Sequence, residues 1–183
     1  NAFSLVKDIP EDGLVVMLDI GAISSSLIVY GKGQQFFTRD LPIGGHHFVK
    51  EVCDKKEISY TEAQDLLFKD GLNVLKSQGS DEQVSVVGIA EKTVYDNLIE
   101  DLRRSLRFYG KQTGQSFFLK IFLTGGAAET PGLPEFVTEK LNIECAVFNP
   151  FENITGSENI SVANKSQFVT ALGLGIRGGM SVG

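Results

Sequence analysis

The order of predicted elements assigns this chain to the α/β class, with a mixed sheet and flanking helices. Three strand patterns come first, helical patterns follow, and the remainder alternates strand, helix, strand, helix. A second observation is that two glycine turns, at Gly21 and at Gly125 with Gly126, each follow a buried strand pattern. Bare glycines let the backbone approach a phosphate or a sugar closely and leave N–H donors available. The two turns together suggest half of a nucleotide cleft.

Three short strands are predicted at the beginning of the chain. Residues 14–18 form a continuous apolar run before a glycine, which is typical of a buried strand. Residues 26–30 predict its return strand, and residues 35–39 predict the third strand of a meander. Pro42 breaks the pattern, and a short helix follows with one apolar face. That face consists of Phe48, Val49 and Val52.

Two longer helices are predicted in the middle of the chain. Residues 61–64 have the form of a capping box, so a helix is expected from about residue 62 to residue 76, with Gly71 a weak point in it. Residues 84–89 are ambiguous between strand and helix. A second helix is expected over residues 91–109, where an apolar residue recurs at every fourth position. Its three arginines, Arg103, Arg104 and Arg107, are expected on a solvated face balanced by Glu100 and Asp101.

The second glycine turn follows a predicted buried strand over residues 117–123. Helical spacing of Leu133, Phe136, Val137 and Leu141 predicts a helix after the turn, and residues 145–148 predict a further strand. The last helix is expected to end at Gly178. Six phenylalanines are expected in the core: Phe36, Phe37, Phe117, Phe118, Phe122 and Phe136.

Composition narrows the possible partners. The net charge of −6 and the pI near 5.0 argue against a nucleic-acid or anionic-membrane partner, since both need a basic face. The apolar runs are too short to cross a bilayer. Cys53 and Cys145 are far apart and not in metal-ligand spacing, which suggests free thiols in a reducing, cytoplasmic compartment.

The chain begins with Asn1 rather than Met, so it is expected to be processed or a fragment. His46 and His47 are adjacent and point apart on a helix, so they are expected as polar residues of a helix face or a cleft rim and not as ligands of a shared metal.

Several segments resemble a known superfamily. Residues 19–25 resemble the second phosphate-binding hairpin of the actin, sugar-kinase and heat-shock-chaperone superfamily. Residues 123–126 resemble its adenosine-binding turn, and residues 171–175 resemble its second connecting helix. Within the superfamily the chain is most similar to the PilM family of type IV pilus assembly, and similar but less close to the cell-division protein FtsA. The segments that carry the PilM resemblance are residues 37–45, 104–109, 131–133, 148–151 and 171–174.

The resemblance implies an actin-like, ribonuclease H-like ATPase fold, of which this chain would be the second half. Subdomain IIA, a wall of the nucleotide cleft, would comprise residues 1–43 and 117–183, and subdomain IIB, a mostly helical insertion, residues 44–116. The first phosphate loop, the acid that positions water and the groove for the tail of a PilN-like membrane partner would lie outside this chain. No catalytic residue is therefore assigned, and no activity is expected of this chain alone, because catalysis needs both walls of the cleft.

The resemblance also implies residues that bind ATP and Mg²⁺. Asp19 would hold Mg²⁺ through water, which agrees with the preference of Mg²⁺ for carboxylates and water. Gly125 and Gly126 would meet the sugar and phosphate at a helix N-terminus, where the dipole favours anions, with Ala127 near the base. Gln64 would meet the ribose. The phosphate ligands would be Gly21, Ala22, Ser24 and Ser25, with Gly44 and Gly45 close to the nucleotide.

One helix departs from the family pattern. The family usually has Glu at position 64 and Lys at position 67, but this chain has Gln64 and Leu67. Gln64 can still donate and accept hydrogen bonds, whereas Leu67 supplies no charge. The predicted function is a cytoplasmic ATP-binding assembly protein, peripheral at the inner membrane in the type IV pilus platform, with possible self-association. The alternatives are an actin-like interaction module without nucleotide, an FtsA-like cytoskeletal protein and, last, a small-molecule kinase. A plain β-hairpin or strand-to-helix turn remains the alternative for each glycine motif.

Overall fold

A mixed five-stranded sheet forms the centre of the computed structural model, which describes residues 13–75, 92–152 and 154–180. The strand order is β3-β2-β1-β4-β5, with β1 to β3 antiparallel and β4 and β5 added parallel to β1. The strands are β1 (Leu14–Ile20), β2 (Ser25–Tyr30), β3 (Phe37–Leu41), β4 (Phe118–Thr124) and β5 (Cys145–Val147). The structure therefore confirms the predicted α/β class with a mixed sheet and flanking helices.

The helices occur in two groups along the chain. Between β3 and β4 lie α1 (Gly45–Lys56), α2 (Tyr60–Asp70), a 3-10 turn (Gly71–Leu75) and α3 (Val94–Thr113). α4 (Leu133–Leu141) connects β4 to β5, and α5 (Val169–Met180) follows two 3-10 turns, Ser157–Asn159 and Ser166–Phe168. The first group lies within the range predicted as a helical insertion, and the predicted segment 84–89 lies outside the described residues.

Alternation along β1 divides the core between the two faces of the sheet. Leu14, Val16 and Leu18 belong to the larger cluster, which includes the apolar faces of α1, α2, α3 and α4. Val15 and Met17 point to the other face, where a smaller cluster includes part of α5. Residues 14–18 of β1 are thus buried on both faces, which is why this part of the strand is continuously apolar.

The predicted start of α2 was wrong by two residues. Ser59 is the N-cap: its hydroxyl accepts from the Glu62 amide at 3.3 Å, and the Glu62 carboxylate accepts from the Ser59 amide at 3.0 Å. Thr61 lies inside the helix, so residues 61–64 are not the capping box. The helix ends at Asp70 because Gly71 adopts a positive φ of 60° and turns the chain into a 3-10 segment.

Other boundaries also differ from the predictions. The third strand lies two residues later than expected, and α5 continues through Gly178 to Met180. Phe36 and Phe117 are not core residues: they are 60% and 71% exposed at the approaches to β3 and β4. Alternation explains this, because each precedes a phenylalanine whose ring packs against the core.

Candidate functional site

The turn between β1 and β2 packs on the N-terminus of α1. The amides of Gly45 and His46 donate to the carbonyls of Gly21 and Ala22 at 2.9 and 2.7 Å. These bonds satisfy amides that a helix N-terminus otherwise leaves unpaired. A Cβ on Gly44 would approach the Gly21 carbonyl oxygen to 2.7 Å, so the chain has room for only glycine here. The glycine pair is thus explained first by the close contact of two backbones.

The second glycine turn packs on the first. Gly125 has a φ of +91°, and a Cβ there would overlap the Asp19 carboxylate and the Ile20 carbonyl. The Ala127 amide donates to the Ile20 carbonyl at 3.3 Å. By contrast, a Cβ on Gly126 would meet nothing within 4 Å. Gly125 is required by packing, whereas Gly126 leaves open space beside the turn.

The prediction that this turn is a helix N-terminus was wrong. α4 begins at Leu133 with Gly132 as its N-cap, and residues 125–129 form turns stabilised by bonds such as Ala128 N–H to the Gly125 carbonyl at 3.2 Å. The helix dipole therefore gives no support to an anion at Gly125 or Gly126, since its effect decays within the first turn of the helix.

Two residues from a distant segment, Asn164 and Ser166, fasten this turn together with Glu129 at its end, and we call the three the 129/164/166 clasp. The Ser166 hydroxyl lies 3.0 Å from the Gly125 carbonyl oxygen and 2.9 Å from Asn164 Oδ1. Asn164 Nδ2 donates to the Gly126 carbonyl at 3.0 Å, and Glu129 Oε1 accepts from the Ser166 amide at 3.1 Å. Asn164 and Ser166 stabilise the turn although they lie about 40 residues away in sequence, and no local sequence motif predicts these contacts.

The two turns, α1 and α2 enclose a cavity of about 200 Å³. Six of the predicted residues line it: Gly21, Ala22, Gly45, Gln64, Gly126 and Ala127. The lining that sequence reasoning did not assign consists of Phe48, Val49, Tyr60, Leu67, Phe68 and Thr130. The sequence pattern that could have identified them as a binding site is weak, because apolar and aromatic residues at helical spacing are equally typical of a hydrophobic core. The cavity is predominantly apolar, with Gln64 as a polar side chain that makes no hydrogen bond to another described residue.

The structure places five predicted residues outside this lining: Asp19, Ser24, Ser25, Gly44 and Gly125. Ser25 is 1% exposed, and its hydroxyl donates to the Ile43 carbonyl at 2.5 Å, so it is directed into the fold. Ser24 is exposed on the turn. The half-buried Asp19 lies behind Gly125, and burial raises the pKa of its carboxyl, an effect that a hydrogen bond with Thr170 partly offsets.

The two histidines have different positions. His46 lines the cavity and stacks on Tyr60, with ring centroids 5.4 Å apart and Nδ1 3.2 Å from the tyrosine oxygen. His47 Nδ1 instead accepts from the Gly44 amide at 3.2 Å and so caps α1. Among the described residues no cluster of three or more His, Cys, Asp or Glu could hold a metal ion.

Fold and cavity together define the class: this is an actin-like domain. The chain belongs to the family described as type IV pilus assembly protein PilM, which matches residues 2–179. It is 25% identical over 186 residues to the cell division protein FtsA of Bacillus subtilis, a match of 93% of this chain and 40% of that protein. The match to FtsA agrees with the weaker of the two predicted resemblances.

Solved structures share the same architecture. The PilM–PilN type IV pilus biogenesis complex matches with a TM-score of 0.66 at 23% identity, over 92% of this chain and 46% of that chain. MreB 5 of Spiroplasma citri, solved bound to AMPPNP, matches with a TM-score of 0.58 at 13% identity, over 96% and 56% of the two chains. The chain thus spans less than half the length of its FtsA and PilM relatives. Within the described residues, no helix is both long and apolar enough to cross a bilayer.

Proposed function

We propose that this chain forms one wall of an ATP site in a PilM-like assembly protein. The observation that carries the proposal is the convergence of three separate glycine segments on one cavity: the β1–β2 turn, the start of α1 and the turn after β4. A plain hairpin or a strand-to-helix turn needs glycine for local geometry alone and has no reason to leave Gly126 facing open space. The AMPPNP complex of an actin-like relative supports nucleotide as the occupant.

The lining fits a nucleoside better than it fits a phosphate chain. Leu67 and Phe68 offer apolar area to a planar base, and Gln64 offers one donor and one acceptor to a sugar or base. Phosphates would then extend over Gly21, which is half-buried, and Ala22, which is exposed. Ser25 does not fit the phosphate role by its side chain, since its hydroxyl is already bonded to a carbonyl.

Asp19 is proposed to hold Mg²⁺ through water. Its carboxylate lies at the C-terminal end of β1, directly before the hairpin turn, and is half-buried. Burial raises the pKa of this group, and the hydrogen bond from Thr170 partly offsets the rise, so the ionised form carries an unfavourable desolvation free energy in the absence of a cation. A bound divalent cation would favour the ionised form.

The wider role is also proposed. Family membership and the similarity to the PilM–PilN complex support a cytoplasmic assembly component at the inner membrane that acts with a PilN-like partner. In this proposal the groove for that partner, the first phosphate loop and any catalytic acid lie outside this chain, and the IIA and IIB boundaries at residues 43/44 and 116/117 stay predictions. Self-association and an FtsA-like cytoskeletal role belong to the same class of function.

A second candidate is an actin-like scaffold that has lost nucleotide binding. Leu67 in the cavity wall favours it, because this position contributes apolar contact and no charge toward a phosphate or base. The two candidates differ in one measurable property, the affinity for nucleotide.

Calorimetric titration of Mg·ATP into the natural protein tests the proposal. Gly126→Val should fold normally, because nothing lies within 4 Å of a Cβ there, yet fill the space beside the turn and weaken binding at least about tenfold. Gly175→Val is the matched control: it also has open space but lies on α5, outside the cavity. Unchanged affinity in Gly126→Val, or no binding by the natural protein at millimolar ATP, would favour the scaffold.

The magnesium role has a separate test. Asp19→Asn should abolish the gain in ATP affinity that Mg²⁺ confers and leave the magnesium-free affinity intact. The apo protein should be no less stable, because the variant removes a desolvated charge. The pKa of the Asp19 carboxyl is raised in the folded state, so ionisation of this group destabilises the fold. The free energy of unfolding of the unmodified protein should therefore increase as the pH falls from the raised pKa toward the ordinary pKa of aspartate. A magnesium dependence that persists in Asp19→Asn would remove Asp19 from the site.

A further inference from the structure

A second concave surface lies away from the cavity lining, and we call it the α3–β4 groove. It lies between α3, the start of β4 and the turn from α4 to β5, and has a volume of about 410 Å³. The residues used below are Arg103, Leu106, Arg107, Phe117, Leu141 and Ile143. None of them lines the candidate nucleotide cavity.

The groove has an apolar floor and one largely exposed aromatic side chain. Leu106 is buried at its base, and Leu141 and Ile143 are half-buried along one side. Phe117 is 71% exposed, although the next residue, Phe118, packs into the core. An isolated exposed phenylalanine needs no explanation. A phenylalanine beside other apolar side chains in a concave surface is typical of a docking site.

Two arginines on α3 supply the charge of the groove. Arg103 Nη2 donates to the Lys140 carbonyl at 2.7 Å, and Arg107 Nε donates to the Arg103 carbonyl at 3.4 Å. These acceptors are neutral, and among the described residues neither guanidinium forms an ion pair with a carboxylate. Arg104, one residue away, differs because it pairs with Asp101 at 3.5 Å.

All three arginines are exposed, as expected for a solvated face. The expected charge balance applies to Arg104, which pairs with Asp101, and to Arg103, whose charge interacts with Glu100. Among the described residues it does not apply to Arg107. Arg103 and Arg107 keep guanidinium donors that bond to no carboxylate in the described part of the chain. Glu144, which is next to Ile143, is already bonded to Lys120 at 2.6 Å. The groove is a locally basic surface on a chain whose net charge is −6. A guanidinium with free donors binds a carboxylate with good geometry, often through two parallel hydrogen bonds.

We propose that the α3–β4 groove binds a short acidic, amphipathic segment of a partner protein. A bulky apolar side chain of that segment would pack on Phe117, Leu106 and Ile143, and carboxylates beside it would bond to Arg103 and Arg107. The apolar contact supplies the affinity and the charges supply orientation and partner choice. This function goes beyond nucleotide binding and does not depend on it.

An unbiased peptide selection tests the proposal. Random 12-residue peptides displayed on phage are selected on the natural protein, and the winners are synthesised with a fluorophore and titrated by fluorescence polarisation. The expected winners combine Asp or Glu with Phe, Leu or Trp, and their affinity falls as salt rises because carboxylate–arginine contacts are screened.

Matched variants locate the binding site. Phe117→Ala and Arg107→Glu should each weaken binding at least about tenfold, which corresponds to about 1.4 kcal/mol. Phe108→Ala and Arg104→Glu are the controls, since Phe108 is also exposed at 51% and both residues lie on α3 outside the groove lining. The controls should change the affinity less than about twofold by the same scale. Circular dichroism melting curves verify that all four variants fold.

Three results would overturn the proposal. Selected peptides that lack acidic residues, or that bind Arg107→Glu as well as the natural protein, would exclude the arginines as the recognition element. A selection that yields no peptide sensitive to Phe117→Ala would exclude the groove. Sedimentation that shows self-association lost in Phe117→Ala, without any groove-specific peptide, would assign the surface to a second copy of the chain.

Discussion

Ser166 is the residue whose replacement should most clearly connect the fold to the candidate site. It is fully buried, and its hydroxyl lies 3.0 Å from the carbonyl oxygen of Gly125 and 2.9 Å from Asn164 Oδ1. A hydroxyl has one proton, which the Gly125 carbonyl oxygen and Asn164 Oδ1 share, so Ser166→Ala removes one donor from the 129/164/166 clasp. It leaves almost no cavity, because alanine lacks only the oxygen. The variant therefore isolates the hydrogen bond from packing.

The expected loss of stability in Ser166→Ala follows from the burial of its hydrogen bond. A buried hydrogen bond contributes about 0.5–1.5 kcal/mol net. The Gly125 carbonyl keeps the bond from the Ala128 amide at 3.2 Å, so the variant does not leave this acceptor unpaired. We expect Ser166→Ala to lower the free energy of unfolding by about 0.5–1.5 kcal/mol. Because the clasp holds the Gly125–Gly126 turn against the cavity, we also expect ATP affinity to fall by about tenfold.

Ser157→Ala is the matched control. Its hydroxyl also donates to a backbone carbonyl, that of Phe151 at 2.7 Å, but neither residue lines the cavity. Urea denaturation measures the unfolding free energy of both variants, and calorimetric titration with Mg·ATP measures affinity. The control should lose about 0.5–1.5 kcal/mol of stability and retain full affinity.

Two results would refute this reasoning. A stability change below about 0.3 kcal/mol in Ser166→Ala would mean that the hydroxyl is not a supporting bond, given the usual cost of such a loss. Equal loss of stability in the two variants with no loss of ATP affinity in either would mean that the clasp supports the fold but does not position the site.

Three further predictions concern packing and reactivity. The Tyr95 hydroxyl is buried with no hydrogen-bond partner among the described residues, so Tyr95→Phe should stabilise the protein by about 1 kcal/mol in urea, whereas Tyr109→Phe should destabilise it by a similar amount because its hydroxyl donates to a carbonyl at 3.2 Å. Gly71→Ala should cost about 3 kcal/mol or more, since the φ is +60° and a Cβ would overlap a backbone carbonyl, but Gly33→Ala, with a φ of +70° in open space, should cost only about 1–2 kcal/mol. Burial raises the pKa of the Cys145 thiol to about 12, so iodoacetamide at pH 8 should leave it unmodified by mass spectrometry until the protein is unfolded; rapid labelling of the native protein would contradict its burial.

The sequence predicted the parts of the fold that depend on local pattern. β1 was recognisable because its first five residues, 14–18, are buried on both faces and are all apolar. Gly44 and Gly125 were recognisable as special turns because the backbone there leaves no space for a Cβ. The six predicted residues that line the cavity belong to the β1–β2 turn, the start of α1, the turn after β4 or the cavity-facing side of α2.

Features decided by tertiary structure could not be predicted in the same way. Ser59 and Thr61 each precede a Glu or Gln by three residues, and only the path of the chain into α2 selects Ser59 as the cap. The family resemblance implied Ser25 as a phosphate ligand, but strand alternation directs its hydroxyl inward to a carbonyl. The clasp at Ser166 lies 41 residues from the carbonyl it supports and has no sequence signature.

Hydrogen exchange of the natural protein, measured by mass spectrometry with and without saturating Mg·ATP, tests the nucleotide proposal most directly. Nucleotide should slow exchange in peptides that cover the Gly21–Ala22 turn, the start of α1 and the Gly125–Gly126 turn, because those backbones meet at the cavity. Exchange around the α3–β4 groove should stay unchanged. Unaltered exchange in all three glycine segments at saturating nucleotide would contradict the assignment of this cavity as a nucleotide site.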